Sequence, residues 1–305
     1  MSSSEQLADL KILIIGGHGY IGSHLCRELD KSKIEYEICE IGLRGKPVHS
    51  RKALFFKDFL DLNLHDLEGF DCVVNLGGTS SVALATQDSF KTLRNNVLGH
   101  QHLLTLCKLS NKRYIYASSG SVYDGSYDTE ASESDPLAPS RNIYDFSKVT
   151  SDELSRINGG YWTSLRFGTV IGASPNMRHE LVLNKMVKDA VLSNKIIVSN
   201  ENSKRALLSI SDLSKVMIEI IKNKRELHGI FNLASFNSTM LELALDVSKL
   251  TGAEVHYDRP TSTYNFTMST QKIVDTLPGL TFENLNAVIS KLIDFYSLGD
   301  DYFNL

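Results

Sequence analysis

The chain has 305 residues, of which 42% are hydrophobic and 22% are charged, enough to build one large domain or two unequal ones. A net charge of -4 with interspersed signs argues against a nucleic-acid partner, and four separated cysteines without a CxxC argue against a metal cluster. No apolar run is long enough to span a membrane, and the N-terminal residues do not resemble a signal peptide. The cysteines lie in apolar or amphipathic stretches, which favours reduced core thiols, so we expect a cytoplasmic protein.

Strand-like and helix-like segments alternate through the first half of the chain. We predict strands at residues 11–15, 36–41, 53–57, 72–76, 113–118 and 162–167, and a long helix at 89–110. Alternation of this kind indicates an α/β fold with a doubly wound parallel sheet covered by helices on both faces.

After Gly172 the pattern changes to amphipathic helices with two short strands. The predicted helices cover 179–192, 211–222, 239–250 and 282–295, and the predicted strands cover 195–199 and 229–234. We therefore expect a larger domain over residues 1–170 and a smaller region over 171–305. The strand near 229–234 is expected to return to the sheet of the first domain.

A glycine-rich turn follows the first strand and opens a helix in "ILIIGGHGYIGSHLCREL", residues 12–29. Glycines at Gly17-x-Gly19-x-x-Gly22 permit a tight turn, close approach to a pyrophosphate and close helix packing. The segment predicts a Rossmann-type dinucleotide site, although a glycine-rich loop without a ligand stays open at this point. The residues expected around the phosphates are Gly16, Gly19, Tyr20, Ile21 and Gly22.

Glu40 lies at the end of the second predicted strand, 24 residues after Gly16. A carboxylate there can accept hydrogen bonds from the adenosine ribose and would repel the 2′-phosphate of NADP. This favours NAD, with NADP as the alternative because Arg44 follows four residues later and could receive a phosphate.

Tyr144 and Lys148 are four residues apart, so on a helix they share a face. An ammonium group beside a phenol lowers the phenol's pKa and suits it to proton transfer. Ser119 ends a predicted strand 25 residues upstream, where its hydroxyl can hydrogen-bond the same substrate oxygen. These three residues are the predicted catalytic group.

The order of motifs along the chain resembles the extended short-chain dehydrogenases/reductases, in particular the NAD-dependent sugar-nucleotide epimerases and dehydratases. The resemblance rests on "GGHGYIGSHL", "KDFLD", "VVNLGGTSSV", "NNVLGHQHLL", "SSGSVY", "YDFSK", "LRFGTVIG" and "RALLSISDLSKVM". It implies a Rossmann-type nucleotide-binding domain, a C-terminal region that binds a nucleotide sugar, and a homodimer. Candidate apolar dimer contacts, some of which must face the sheet, are Val97, Leu103, Leu104, Leu106, Val149 and Leu154.

The resemblance also assigns roles to further residues. Asp58 and Phe59 would face the adenine, and Asn96 would stabilise the active-site backbone, usually through water. The remaining implied NAD contacts are Leu76, Gly77, Gly78 and Gly168, besides Tyr144 and Lys148. The implied substrate contacts are Ser80, Ser119, Thr169, Arg178, Asn184 and Arg205, where Arg205 would bind the diphosphate or would only pair with Asp212.

Two positions depart from the dehydratase pattern of this group. Residues 120 and 121, where the 4,6-dehydratases carry Asp-Glu, are Gly120 and Ser121. Neither can act as an acid or base in an elimination, which disfavours dehydration. The sequence therefore favours a nucleotide-sugar 4-epimerase that acts through a transient 4-keto sugar. A 4-dehydrogenase or 4-ketoreductase would use the same three residues, and a non-catalytic NAD(P)-binding regulator is the alternative from another class.

Overall fold

The computed structural model of the chain describes residues 10–40, 54–125, 129–223 and 227–304. Its strands are β1 (Lys11–Ile15), β2 (Glu35–Glu40), β3 (Leu54–Phe56), β4 (Cys72–Asn75), β5 (Arg113–Ser119), β6 (Trp162–Phe167), β7 (Thr169–Ile171), β8 (Lys195–Val198), β9 (Lys204–Ser209), β10 (Gly229–Leu233), β11 (Phe236–Thr239) and β12 (Glu254–Tyr257). Its helices are α1 (Tyr20–Lys31), α2 (Val82–Gln87), α3 (Ser89–Leu93), α4 (Gly99–Leu109), α5 (Ile143–Asn158), α6 (Val182–Ser193), α7 (Ile210–Lys222), α8 (Met240–Thr251), α9 (Gln271–Thr276) and α10 (Leu285–Leu298).

Seven strands form one sheet in the order β10-β6-β5-β4-β1-β2-β3. The pairs β1–β2, β1–β4, β2–β3 and β4–β5 are parallel. Strand order reverses beside β1, and ligands of doubly wound sheets bind at such a point, outside the carboxyl ends of the strands. The predicted α/β Rossmann-type fold is confirmed.

The described residues fall into two compact units. The first comprises Met1–Val122, Pro139–Arg166 and Ser214–Phe231, and the second comprises Tyr123–Ala138, Phe167–Leu213 and Asn232–Leu305. The first unit carries most of the seven-stranded sheet, and its core packs apolar side chains of β1, β4 and β5 against helix α4.

The second unit has its own core, in which α6, α8 and α10 pack together. It contains a three-stranded sheet in the order β11-β9-β7 and a parallel pair of β8 and β12. Strand β9 pairs with β7 in parallel and with β11 in antiparallel orientation, so β9 is held on both edges. Arg205, on β9, is therefore carried by a strand that is fixed from two sides.

The helical segment predicted at 89–110 is confirmed over residues 89–109, although its hydrogen-bonding pattern is not uniform. It consists of α3, a π-helical stretch at Arg94–Leu98, and α4. Stretches of this kind occur where a helix is widened by one residue, frequently at functional sites. Asn96 lies inside the stretch and bonds a distant loop, and periodicity in the sequence carries no trace of that contact.

Three of the candidate dimer contacts face the core, as was expected of some members of that set. Leu103, Leu104 and Leu106 are buried and pack in the core of the first unit. The exposed apolar residues on nearby helices are different ones, including Phe90 and Ile157, which are 81% and 75% exposed. None of the described helices has both the length and the apolarity to cross a membrane.

Candidate active site

The glycine-rich turn between β1 and α1 has no room for a side chain at Gly16, and the start of α1 has none at Gly22. Gly16 has a φ of +81°, and a Cβ on it would lie 2.9 Å from the backbone nitrogen of Gly77. A Cβ on Gly22 would lie 2.2 Å from the carbonyl oxygen of Gly16. The turn therefore brings backbone close to the N-terminus of α1, where backbone N–H groups and the helix dipole favour phosphate.

Glu40 lies at the end of β2, beside this turn. Its Oε1 accepts a hydrogen bond of 2.9 Å from the backbone N–H of His18. The structure thus brings the predicted ribose-binding carboxylate to the edge of the phosphate loop. Arg44, the residue that would favour NADP, lies outside the described residues.

Asp58 follows β3, and its carboxylate is already held by two groups. It accepts a 3.0 Å hydrogen bond from the N–H of Leu60 and forms a 2.6 Å ion pair with Arg94. Burial opposes ionisation, but these two contacts outweigh it and lower the pKa of Asp58. The neighbouring Phe59 is buried, and its ring fills the space where a Cβ on Gly99 would lie. Contact of Asp58 and Phe59 with adenine stays a prediction.

Asn96 fastens the loop that follows β4 and carries Leu76, Gly77, Gly78 and Ser80. Its Oδ1 accepts from the N–H of Thr79 at 2.8 Å, and its Nδ2 donates to the carbonyl oxygen of Thr79 at 3.0 Å. Nδ2 also donates to Oγ of Ser147 on α5, at 3.0 Å. A Cβ on Gly78 would lie 2.4 Å from Oδ1 of Asn96. Asn96 therefore stabilises this backbone by direct contact, whereas the expected route was through water.

Ser119, Tyr144 and Lys148 come from two adjacent elements of the first unit. Ser119 is the last residue of β5, and Tyr144 and Lys148 lie one turn apart near the start of α5. Nζ of Lys148 lies 5.7 Å from the centroid of the Tyr144 ring and donates a 2.8 Å hydrogen bond to the carbonyl oxygen of Ala117. The predicted spacing thus places the ammonium group beside the phenol.

A buried ionic network lies next to Lys148. Oδ2 of Asp152 pairs with Nε of Arg166 at 2.9 Å and accepts from Ser118, while Oδ1 accepts from Tyr116 at 2.9 Å. Desolvation lowers the pKa of Lys148 to about 8, and the nearby charge of Asp152 opposes that shift. At neutral pH the ammonium form therefore still predominates.

A second group of predicted residues belongs to the second unit. A Cβ on Gly168 would lie 2.9 Å from the carbonyl oxygen of Ala206, so only glycine fits there. Thr169 begins β7. Asn184 is fully buried, accepts from the N–H of Gly172 at 2.9 Å and donates to the carbonyl oxygen of Arg178 at 3.0 Å. Arg178 also pairs with Glu180. Contact of Arg178 and Asn184 with substrate stays a prediction.

Arg205 lies on β9 of the second unit and is half-buried. Its guanidinium donates to the hydroxyl of Thr263 and lies 5.5 Å from the centroid of the Tyr264 ring. Burial lowers its pKa to about 10, while the charge of Asp124 opposes the shift. Asp212, the alternative partner, accepts from Ser235 at 2.5 Å and from a backbone N–H.

A family model matches residues 12–234, which is well over half of the chain, and it describes the NAD dependent epimerase/dehydratase family. This chain belongs to that family. Its members are NAD-dependent, so the predicted cofactor, NAD, is confirmed.

Curated relatives within the epimerase/dehydratase family include enzymes of both kinds. The dTDP-D-glucose 4,6-dehydratase of Dictyostelium discoideum is 28% identical over 278 residues, which are 80% of this chain and 63% of that protein. The chain thus spans less than two thirds of that relative's length. The UDP-glucose 4-epimerase of Lactobacillus helveticus is 26% identical over 278 residues, with 81% of this chain and 84% of that protein covered.

Two solved structures show how closely the fold is shared. TunA, an NAD-dependent NDP-hexosamine 5,6-dehydratase involved in tunicamycin biosynthesis, superposes with a TM-score of 0.84 at 21% identity, covering 95% of this chain and 99% of TunA. UDP-glucuronic acid 4-epimerase from Bacillus cereus, solved with UDP-glucuronic acid and NAD, gives a TM-score of 0.81 at 21% identity, covering 95% and 99%. At these identities the likeness shows the fold alone.

The geometry of the first unit fits the NAD of this family. The bare backbone of the glycine turn offers N–H groups to a pyrophosphate, and Glu40 can accept from ribose hydroxyls. Positive φ values at Gly16 and Gly78 keep the facing loops free of Cβ atoms at this edge. The chain therefore supplies shape, donors and an acceptor of the kinds that NAD requires.

Two residues beside the catalytic group escaped sequence reasoning. The sequence identifies Ser121 only as a position without an acid, and it gives no sign that Asp145 belongs to the site. The structure joins them by a 2.5 Å hydrogen bond from Oγ of Ser121 to Oδ1 of Asp145, and Ser121 in turn contacts Ser119 at 2.8 Å. The helix cap Asn142-x-x-Asp145 is visible in the sequence, but it does not reveal that Asp145 reaches β5.

Proposed function

We propose that this protein is a nucleotide-sugar C4 oxidoreductase and, more specifically, a 4-epimerase that acts through a transient 4-keto sugar. The observation that carries the proposal is the pairing of Tyr144 and Lys148 on α5, with Nζ of Lys148 5.7 Å from the Tyr144 ring centroid, in the same unit as Ser119 and the glycine turn. The two residues after Ser119, Gly120 and Ser121, carry no acid, which supports epimerisation over elimination.

Tyr144 acts as the base that accepts the proton of the sugar 4-hydroxyl. The neighbouring Lys148 ammonium stabilises the phenolate electrostatically, because opposite charges at this distance favour ionisation. Ser119 hydrogen-bonds the reacting oxygen and steadies the negative charge that develops on it. When bound, NAD supplies the hydride acceptor and, on the return step, the hydride donor.

Epimerisation requires the 4-keto sugar to present its opposite face before reduction. Tyr144 then returns its proton to the C4 oxygen. The protonation state of Tyr144 and the redox state of the enzyme are therefore the same at the end of the cycle as at its start. A dehydrogenase would release the ketone instead, and a ketoreductase would run only the return step.

We further propose that the second unit binds the nucleotide diphosphate through Arg205. A half-buried guanidinium can make short, bidentate hydrogen bonds to phosphate oxygens, and Tyr264 stacks against it. Ser80, Thr169, Arg178 and Asn184 are proposed as further substrate contacts.

The test is a screen of UDP- and dTDP-hexoses with the purified protein and NAD, with products identified by NMR and mass spectrometry. An inverted configuration at C4, absent when Tyr144→Phe is used, is the expected result. A product that has lost the mass of one water would identify a dehydratase. A ketone formed with stoichiometric NADH would identify a dehydrogenase, and NAD binding without turnover of any sugar would favour a non-catalytic regulator.

A further inference from the structure

A buried chain of hydrogen bonds runs from Ser119 to Asp145. Oγ of Ser119 lies 2.8 Å from Oγ of Ser121 and also accepts from the N–H of Ser121 at 3.2 Å. Oγ of Ser121 donates to Oδ1 of Asp145 at 2.5 Å. The three side chains are 9%, 5% and 3% exposed, so water competes little for these contacts.

Asp145 is itself fixed at the start of α5. Its N–H donates to Oδ1 of Asn142 at 2.9 Å, and its Oδ2 accepts from Nδ2 of Asn142 at 2.5 Å. Each oxygen of the carboxylate therefore has its own donor, Ser121 on one side and Asn142 on the other. Asp145 also directly follows Tyr144, so one turn of helix positions both residues.

We propose that Ser121 and Asp145 are positioning residues that hold the Ser119 hydroxyl at a fixed place relative to Tyr144. The inference rests on the proposed function, in which Ser119 bonds the reacting oxygen. A free serine side chain moves among three rotamers, and the contacts from the N–H and Oγ of Ser121 select one of them. Asp145 extends that constraint from β5 to the helix that carries the base.

The burial and partners of Asp145 argue for an indirect role. With Ser121 and Asn142 donating to its two oxygens, it acts on the reaction through Ser119 and not by direct contact with the sugar. Loss of these hydrogen bonds would leave the cofactor and substrate contacts in place. The Ser119 hydroxyl would then be held less firmly relative to the reacting oxygen.

The experiment uses the nucleotide sugar with the highest turnover in the screen, with UDP-glucose and dTDP-glucose as the first probes. We expect Ser121→Ala to lower kcat by about tenfold, with KM and the Kd of NAD within about twofold of wild type. Ser121→Thr keeps a hydroxyl and should recover most of the loss. Thr163→Val is the matched control, because it removes another buried hydroxyl, near the start of β6, that donates to the carbonyl oxygen of Leu227, and should leave kcat unchanged.

Asp145→Asn provides an independent arm. Its amide keeps one acceptor oxygen and turns an NH2 group toward one of the two donors, Ser121 or Asn142, so one hydrogen bond is lost and we expect kcat to fall here as well. If both residues act through Ser119, neither substitution should lower kcat further in the Ser119→Ala background. Unchanged NAD binding and melting temperature establish that each variant is folded.

The outcomes separate this inference from the proposed function. If Ser119→Ala leaves turnover unchanged, the assigned role of Ser119 is wrong. If Ser119→Ala slows turnover but Ser121→Ala does not, only the positioning inference is overturned. The positioning inference is also overturned if Ser121→Ala lowers kcat by the same factor in the wild-type and Ser119→Ala backgrounds.

Discussion

Replacing Lys148 with methionine tests how much stability the protein gives up to keep an ammonium group at its active site. Desolvation lowers the pKa of Lys148 from 10.5 to about 8 although Asp152 opposes it, so the folded protein disfavours the charged form. Methionine matches the length of the apolar part of lysine, has a similar helix propensity and carries no charge.

The size of the effect follows from that pKa. A difference of 2.5, from 10.5 to about 8, corresponds to about 3 kcal/mol against folding while the lysine is charged in both states. Lys148→Met removes this cost but also removes the hydrogen bond to Ala117, which contributes about 1 kcal/mol. The variant should therefore be about 2 kcal/mol more stable than wild type at pH 7 without NAD.

The stability difference between Lys148→Met and wild type should depend on pH. Below pH 8 lysine is protonated in both states and the cost is fully present. Between the folded pKa of about 8 and the unfolded value of 10.5, the folded state loses its proton first and wild type gains stability as pH rises. The advantage of Lys148→Met should accordingly shrink over this range.

Urea unfolding at several pH values measures this, with Tyr144→Phe as the common background so that the phenol does not titrate. Lys148→Met should meanwhile lose turnover and NAD affinity, because the ammonium group serves both. A variant that is less stable than its parent at pH 7, or an advantage that is constant with pH, would refute the desolvation argument.

Four further predictions concern the cofactor site, the base and the assembly. Tyr144→Phe should lower kcat by about 10²–10⁴ with little change in NAD binding, as steady-state kinetics and fluorescence titration would measure; turnover within threefold of wild type would remove Tyr144 as the base. Glu40→Ala should weaken NAD binding and reduce the protein's preference for NAD over NADP. Glu40 is not the ribose-binding carboxylate if the wild-type protein binds NADPH better than NADH. Gly22→Ala should abolish NAD binding and destabilise the fold by about 1–3 kcal/mol or more, because its Cβ would lie 2.2 Å from a carbonyl oxygen. Normal NAD binding by calorimetry would contradict a pyrophosphate site at the glycine turn. We expect light scattering to show a homodimer, and a monomeric wild type at micromolar concentration would refute this. If exposed apolar residues such as Phe90 and Ile157 form the dimer contact, Ile157→Lys should disrupt the dimer.

The glycine turn and the catalytic spacing were predictable because local chemistry demands particular residues there. Only glycine fits at residues 16 and 22, because a Cβ there would collide with backbone. The sequence must therefore carry glycine at both positions. Tyr144 and Lys148 are one helical turn apart, and helix geometry alone brings them together. The acid at Glu40 was found because β2 ends beside β1.

The features that the sequence did not reveal depend on contacts between distant residues. Asn96 lies in the π-helical stretch at Arg94–Leu98 and bonds Thr79, which is 17 residues away. Asp145 reaches Ser121 across 24 residues and joins a helix to a strand. Leu103 and Leu106 look alike as apolar helix residues whether they face a sheet or a partner, and only the packing shows that both are buried.

The central claim is that hydride leaves and returns to C4 of one sugar without loss of water. A nucleotide sugar that carries deuterium at C4, with UDP-glucose as the first probe, tests this when its product is analysed by NMR and mass spectrometry. We expect a product with inverted C4 configuration, with deuterium still at C4 and an unchanged mass. Deuterium released in free NADH, or a product lighter by one water, would contradict it.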